Sequence, residues 1–118
     1  MVVGVCVLTF SLPGNASLKG KRSVVRRIVD RTRAKFNAAV AEVSDMGVHQ
    51  RAVIGVSVVS NDTRHANSML DKISAFMASS TEAVLIERTL DLLHANGEPT
   101  GLPGVLIDAG YDPDWERN

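Results

Sequence analysis

Residues 38–60 read Ala38-Ala-Val-Ala-Glu-Val-Ser44, then Asp45-Met-Gly-Val-His-Gln50, then Arg51-Ala-Val-Ile-Gly-Val-Ser-Val-Val-Ser60. The outer pieces are rich in Val and Ile and short enough for strands, about 38–44 and 51–60. The piece between them holds Gly47 and is a loop. Two strands in direct succession break what is otherwise a strict alternation of strand and helix, and that break decides the topology.

Upstream, residues 2–11 are rich in Val and Thr and read as a strand. Pro13-Gly14 ends it, and Ser17 can cap the helix that follows. Leu18, Val25, Ile28, Val29, Thr32 and Phe36 then recur on one face at helical spacing. Downstream, Asn61 or Asp62 starts a second helix with the stripe Ala66, Met69, Leu70, Ile73, Phe76 and Met77. A last strand covers about 82–92, with Val84, Ile86, Leu90 and Leu92 on one face. The order is β-α-β-β-α-β. Right-handed crossovers put both helices on one face of an antiparallel four-stranded sheet, order 4-1-3-2, a ferredoxin-like α+β sandwich. The fold takes residues 1–93, leaving 94–118 as a Gly/Pro-rich acidic extension.

The other sheet face has no helix to cover it. Val5 and Val7 on the first strand and Val53 and Val59 on the third are expected there, as an interface patch. The extension contributes Gly104-Val105-Leu106-Ile107 and the chain's one Tyr and one Trp, Tyr111 and Trp115. A solvated tail has no need of these, so Trp115 joins the candidate interface. A homo-oligomeric or protein-interaction module built through this face and the tail is one functional reading.

The other reading comes from charge. The chain is formally neutral, but residues 1–93 carry twelve Lys and Arg against eight Asp and Glu, about +4. Residues 94–118 carry one Arg against five acids, about −4. Eight cations fall within residues 19–35: Lys19, Lys21, Arg22, Arg26, Arg27, Arg31, Arg33 and Lys35, opposed only by Asp30. On a helix, Lys19, Arg26 and Arg33 share one flank, and Arg27, Arg31 and Lys35 the other. Arg22–Arg26, Arg27–Arg31 and Arg31–Lys35 are like-charge pairs four residues apart, each costing about 0.2–0.5 kcal/mol in an isolated helix. Clustering against local stability favours an anionic partner: RNA phosphate first, with an acidic protein surface or the chain's own acidic tail as the alternative. Aromatic residues are not interleaved with the cations, so base stacking is not expected.

Other chemistries lack their residues. Gly20-Lys21-Arg22-Ser23 has Arg22 where a phosphate loop needs Ser or Thr. His49, His65 and His94 show no ligand spacing, and no nucleophile constellation appears, so no metal, cofactor, catalytic residue or small-molecule substrate is expected. The single cysteine, Cys6, excludes an internal disulfide and reads as a small core residue. Neither a signal peptide nor a membrane span is legible, so a cytoplasmic protein is expected. Glu42 and Arg51, on adjacent strands, are expected to pair.

Val3-Gly4-Val5, Ser17-Leu18-Lys19 with Lys21-Arg22, Phe36-Asn37, Ala41-Glu42-Val43, Gln50-Arg51-Ala52 and Val58-Val59-Ser60-Asn61 together resemble the bacterial YlxP-like family, a domain of unknown function. The resemblance covers about residues 1–93. It implies a ferredoxin-like sandwich and, through gene neighbours in translation and ribosome assembly, a role near the ribosome. Two positions depart from the family pattern. Gly20 stands where an acidic residue is usual, leaving the Ser17 capping box without its reciprocal partner. Val5, Val7 and Thr9 stand where charged residues are common.

Overall fold

The computed structural model describes residues 1–95. The elements are β1 (Val2–Ser11), α1 (Leu18–Lys35), β2 (Ala39–Ser44), β3 (Arg51–Ser60), α2 (Thr63–Ala78) and β4 (Val84–His94). The four strands form one antiparallel sheet in the order β2-β3-β1-β4, the expected order read from the other edge. β1 is central and pairs with β3 along its whole length, Val2 opposite Ser60 through Ser11 opposite Arg51.

Alternation along β1 and β3 sends one set of side chains into the core. Cys6, Leu8, Phe10 and Leu12 meet Ala52, Ile54, Val56 and Val58 on one face, all buried. Val24, Val25, Ile28 and Val29 of α1 and Ala66, Leu70, Ile73 and Met77 of α2 close over them. At roughly 1.5–3 kcal/mol for each large apolar side chain removed from water, this layer is the main favourable term of the fold. Both helices therefore lie on one face.

Gly4 sits in this layer. A Cβ there would meet Leu70 Cδ1 at 2.8 Å and Val58 Cγ2 at 3.1 Å, so the glycine lets α2 approach the sheet.

The outer strands are each interrupted once. The β1–β4 register shifts between Thr9 and Phe10, where Leu85 and Glu87 take successive partners and Ile86 is the extra residue. This corrects the expected phase of β4. Leu85, Leu90 and Leu92 pack against the core, while Val84 and Ile86 are exposed. The β2–β3 register shifts between Glu42 and Ser44, leaving Val43 as the extra residue. Its side chain lies over Gly55.

The Gly4→Ala variant is expected to lose about 1–3 kcal/mol of stability through overpacking. Urea denaturation followed by circular dichroism measures it.

Candidate functional site

α1 starts at Ser17, whose Oγ accepts from the Gly20 amide at 3.0 Å. Asn15 packs where a capping-box acid would stand, but it binds the Ser17 carbonyl rather than the Ser17 amide. The Asn15 carboxamide lies against Gly20, where a Cβ would sit 2.4 Å from Asn15 Oδ1. Asn15 Nδ2 donates to the Ser17 carbonyl at 2.8 Å and to the His49 carbonyl. Glycine at position 20 thus gives Asn15 room to tie the helix start to the β2–β3 loop.

Lys21 overturns one expectation. It is not part of a basic surface: its side chain is only 1% exposed, and it lies beneath the helix among the core residues. Its Nζ is 2.8 Å from Glu42 Oε2 and donates to the Asp45 carbonyl. Asp45 has a left-handed backbone, φ 57°, a conformation Asp tolerates better than most residues. Its carboxylate is 3.0 Å from Arg51 Nε. The expected Glu42–Arg51 pair is therefore replaced by Lys21–Glu42 and Asp45–Arg51. The register explains why. Glu42 lies opposite Ile54, while Arg51 lies beyond the paired end of β2. Leu18, expected in the stripe, is exposed, and Val24 is buried instead.

The other seven cations are exposed. Arg27 forms a two-pronged pair with Glu82, Nε to Oε1 at 2.9 Å and Nη2 to Oε2. Lys35 Nζ stands 4.6 Å from the centre of the Phe76 ring, and Arg31 Cζ 5.9 Å from it. Arg33 Nη2 donates to the Val40 carbonyl on the β2 edge at 2.6 Å. Lys19, Arg22 and Arg26 form no ion pair or side-chain hydrogen bond among the described residues. They line a shallow groove with Arg27 and Asp30. A second groove, between Arg22, Arg26 and Arg33 on α1 and Ala41 and Glu42 on β2, continues that flank to the sheet edge. The eight residues thus separate into a buried structural lysine, four side chains engaged by the fold, and three free cations on one flank.

The interface candidates also separate. Val59 is 64% exposed on the open face. Val5 and Val7 are half-buried. Val53 alternates with the core residues Ala52 and Ile54 and is the least exposed of the four, at 9%; its register neighbours are Thr9 and Ser44. Trp115 lies outside the described residues.

Cys6 faces the helices, with its Sγ 3.7 Å from Ser74 Oγ. Burial pushes its thiol above the ordinary value, and the Ser74 hydroxyl offsets only part of this. His94 Nε2 lies 3.1 Å from Thr63 Oγ1. Among the described residues, no group of three or more His, Cys, Asp or Glu could hold a metal ion. No described helix is long and apolar enough to cross a membrane.

Comparison with known proteins places the sequence. A family model described as "Protein of unknown function (DUF503)" matches residues 3–89. The uncharacterized protein YlxP of Bacillus subtilis (strain 168) is 36% identical over 74 residues, 63% of this chain and 77% of that protein. Among solved structures, a de novo designed protein with a ferredoxin fold aligns with TM-score 0.47 and 14% identity, covering 85% of this chain and 93% of its own. A putative chlorite dismutase, TA0507, aligns with TM-score 0.47 and 11% identity, covering 98% of this chain and 51% of its own. These two likenesses concern the path of the chain and carry nothing about its chemistry.

The Lys21→Ala variant leaves Glu42 and the Asp45 carbonyl without their cation, and is expected to lose about 3–5 kcal/mol. Thermal and urea denaturation check this against Arg22→Ala, expected within about 0.5 kcal/mol of the parent. The Cys6 thiol is expected to resist alkylation at neutral pH in the folded protein and to react freely in denaturant. Its raised folded value also means that the thiol's own contribution to stability is constant at neutral pH and falls as pH rises above the ordinary thiol range. Equal iodoacetamide rates in both states would contradict the buried placement.

Proposed function

The chain belongs to the DUF503 family, and from that premise we propose a non-enzymatic protein that contacts RNA through the outer flank of α1, with a ribosomal particle as its partner. The observation that carries this reading is the row Lys19, Arg22 and Arg26. The three are exposed, lie on one flank, and hold no carboxylate partner among the described residues. From Lys19 to Arg26 is seven residue steps, about 10 Å of helix. At about 3.4 Å of axis per phosphate on one strand, that length faces about three phosphates.

Arg33 extends the row towards the β2 edge. Only one of its terminal nitrogens is engaged by the Val40 carbonyl, and a guanidinium carries five N–H donors. Phe36 and Phe76 pack edge to face with their centroids 5.6 Å apart. Their rings are used within the fold, which supports contact with backbone phosphate over base stacking. The helix dipole disfavours Lys19 and Arg22 in the first turns, where no acid accompanies them. A polyanion would remove that cost.

Titration of labelled ribosomal RNA fragments at several salt concentrations tests the proposal. With three or four phosphates engaged, the slope of log affinity against log salt is expected at roughly −2 to −3. Arg22→Ala/Arg26→Ala should weaken binding at low salt and flatten the slope by roughly 1–2. Identical curves for parent and variant would remove the proposal.

A further inference from the structure

The open face carries opposite charge at its two edges. Rows of residues in register cross it from β2 to β4. One row reads Ala39, Ser57, Val5, Asp91, and another reads Ser44, Val53, Thr9, Glu87. Asp91 and Glu87 are exposed on β4 and hold no ion pair among the described residues. At the other edge Arg33 bonds the Val40 carbonyl and reaches round β2 to line a hollow on the open face. The floor of that hollow is small: Ala39, Ala41, Gly55 and Ser57. Beside it on β1 stand Val5 and Val7, and at the end of the face Val3 lies in register with Val59, which is 64% exposed.

We propose that a second copy of the chain covers this face, related to the first by a two-fold axis parallel to the strands. β4 of each copy then lies over β2 of the other, and β1 over β3. Asp91 meets the partner's Arg33, and Val3 meets the partner's Val59. Val5 and Val7 settle over the partner's Ser57 and the partner's Gly55.

Charge selects this axis. A two-fold axis across the strands also stacks the two sheets, but it lays β4 over β4 and β2 over β2. Carboxylates then face carboxylates and Arg33 faces its own copy, the like-charge contact by which interfaces reject a wrong arrangement. The axis along the strands brings acid to cation, and two-fold symmetry makes the pair twice. Shape agrees, since it sets small residues of β2 and β3 opposite the valines of β1. So does size. Four strands of about ten residues present roughly 600 Å² in projection. That is the lower end of the roughly 600–1,000 Å² per partner found in stable interfaces. Lys19, Arg22 and Arg26 lie on the outer flank of α1 and take no part, so the test is separate from that of RNA binding.

Asp91 and Arg33 stand at opposite edges of one sheet, about 15 Å apart by strand spacing, so pairing between them reports contact between copies. Sedimentation of the full-length protein should show a monomer–dimer equilibrium with a micromolar dissociation constant, as the modest area implies. Val59→Asp places a carboxylate at an exposed position, and should weaken association at least about tenfold with an unchanged circular dichroism spectrum. Asp91→Arg and Arg33→Glu should each weaken it by a similar factor alone. An equimolar mixture of those two variants should recover the dimer, because each then offers the other opposite charge at both contacts. A parent that stays monomeric up to about 0.2 mM overturns the proposal. So does a dimer that Val59→Asp leaves intact, which would put the contact on another surface. A mixture no more associated than either variant alone overturns the axis, and the proposal with it.

Discussion

The buried Lys21 is the contact on which the arrangement of charge depends. An ammonium taken out of water costs several kcal/mol unless its partners are well placed. Here the partners come from two places, the Glu42 carboxylate on β2 and the Asp45 carbonyl of the loop. Holding that lysine beneath the helix fixes the roll of α1 about its axis. Residues 19, 22 and 26 then face outward by geometry alone. The same contact makes the loop choose its shape, because Asp45 must turn its carbonyl inward while its carboxylate reaches Arg51. Two cations and two anions close into a neutral cluster at one end of the sheet. The external cations are left with no share in it.

The two faces of the sheet contrast in what they require. The helix-covered face is saturated: Leu8, Phe10, Ile54 and Leu70 are fully buried, and even Gly4 is a packing residue. The open face is apolar without being closed. Interior strands carry Val on both sides, as in a sheet covered twice. The bulge residues Val43 and Ile86, both exposed, add to that character at the two outer strands.

The sequence and structure agree where periodicity is long and unbroken. The period of two along residues 2–11 and 51–60, and the helical stripes through Ile28 on α1 and through Leu70 and Met77 on α2, survive any reasonable packing. They disagree where a single inserted residue resets the phase. Nothing local marks Ile86 as a bulge, so the face of Val84 is misread on one side of it. Lys21 is misread for a different reason. Lysine is almost never fully buried unless paired, so its charge outweighs its position in the reading. The signal was present. Lys21 is four residues before Val25 and seven before Ile28, squarely on the stripe. Glu42 shares a strand face with Val40, two residues earlier, which is buried. A lysine on an apolar stripe and a glutamate on an apolar face, each anomalous alone, explain one another. Which surface cations are free was not legible, because Glu82 and Val40 reach Arg27 and Arg33 only through the tertiary fold.

The central position of β1 has a consequence for how the chain is assembled. The strand synthesised first is flanked by strands that come much later, with Val2 opposite both Ser60 and His94. Closing those loops delays the sheet, since long-range pairs must be reached before any of their contacts reward the lost entropy. While the chain is being made, β1 holds one unpaired edge until β4 has emerged, and the apolar side chains beside that edge wait with it. The helices α1 and α2, which form from local contacts, are available earlier to shelter the inner face. The order of the strands thus makes the last strand the step that completes the fold.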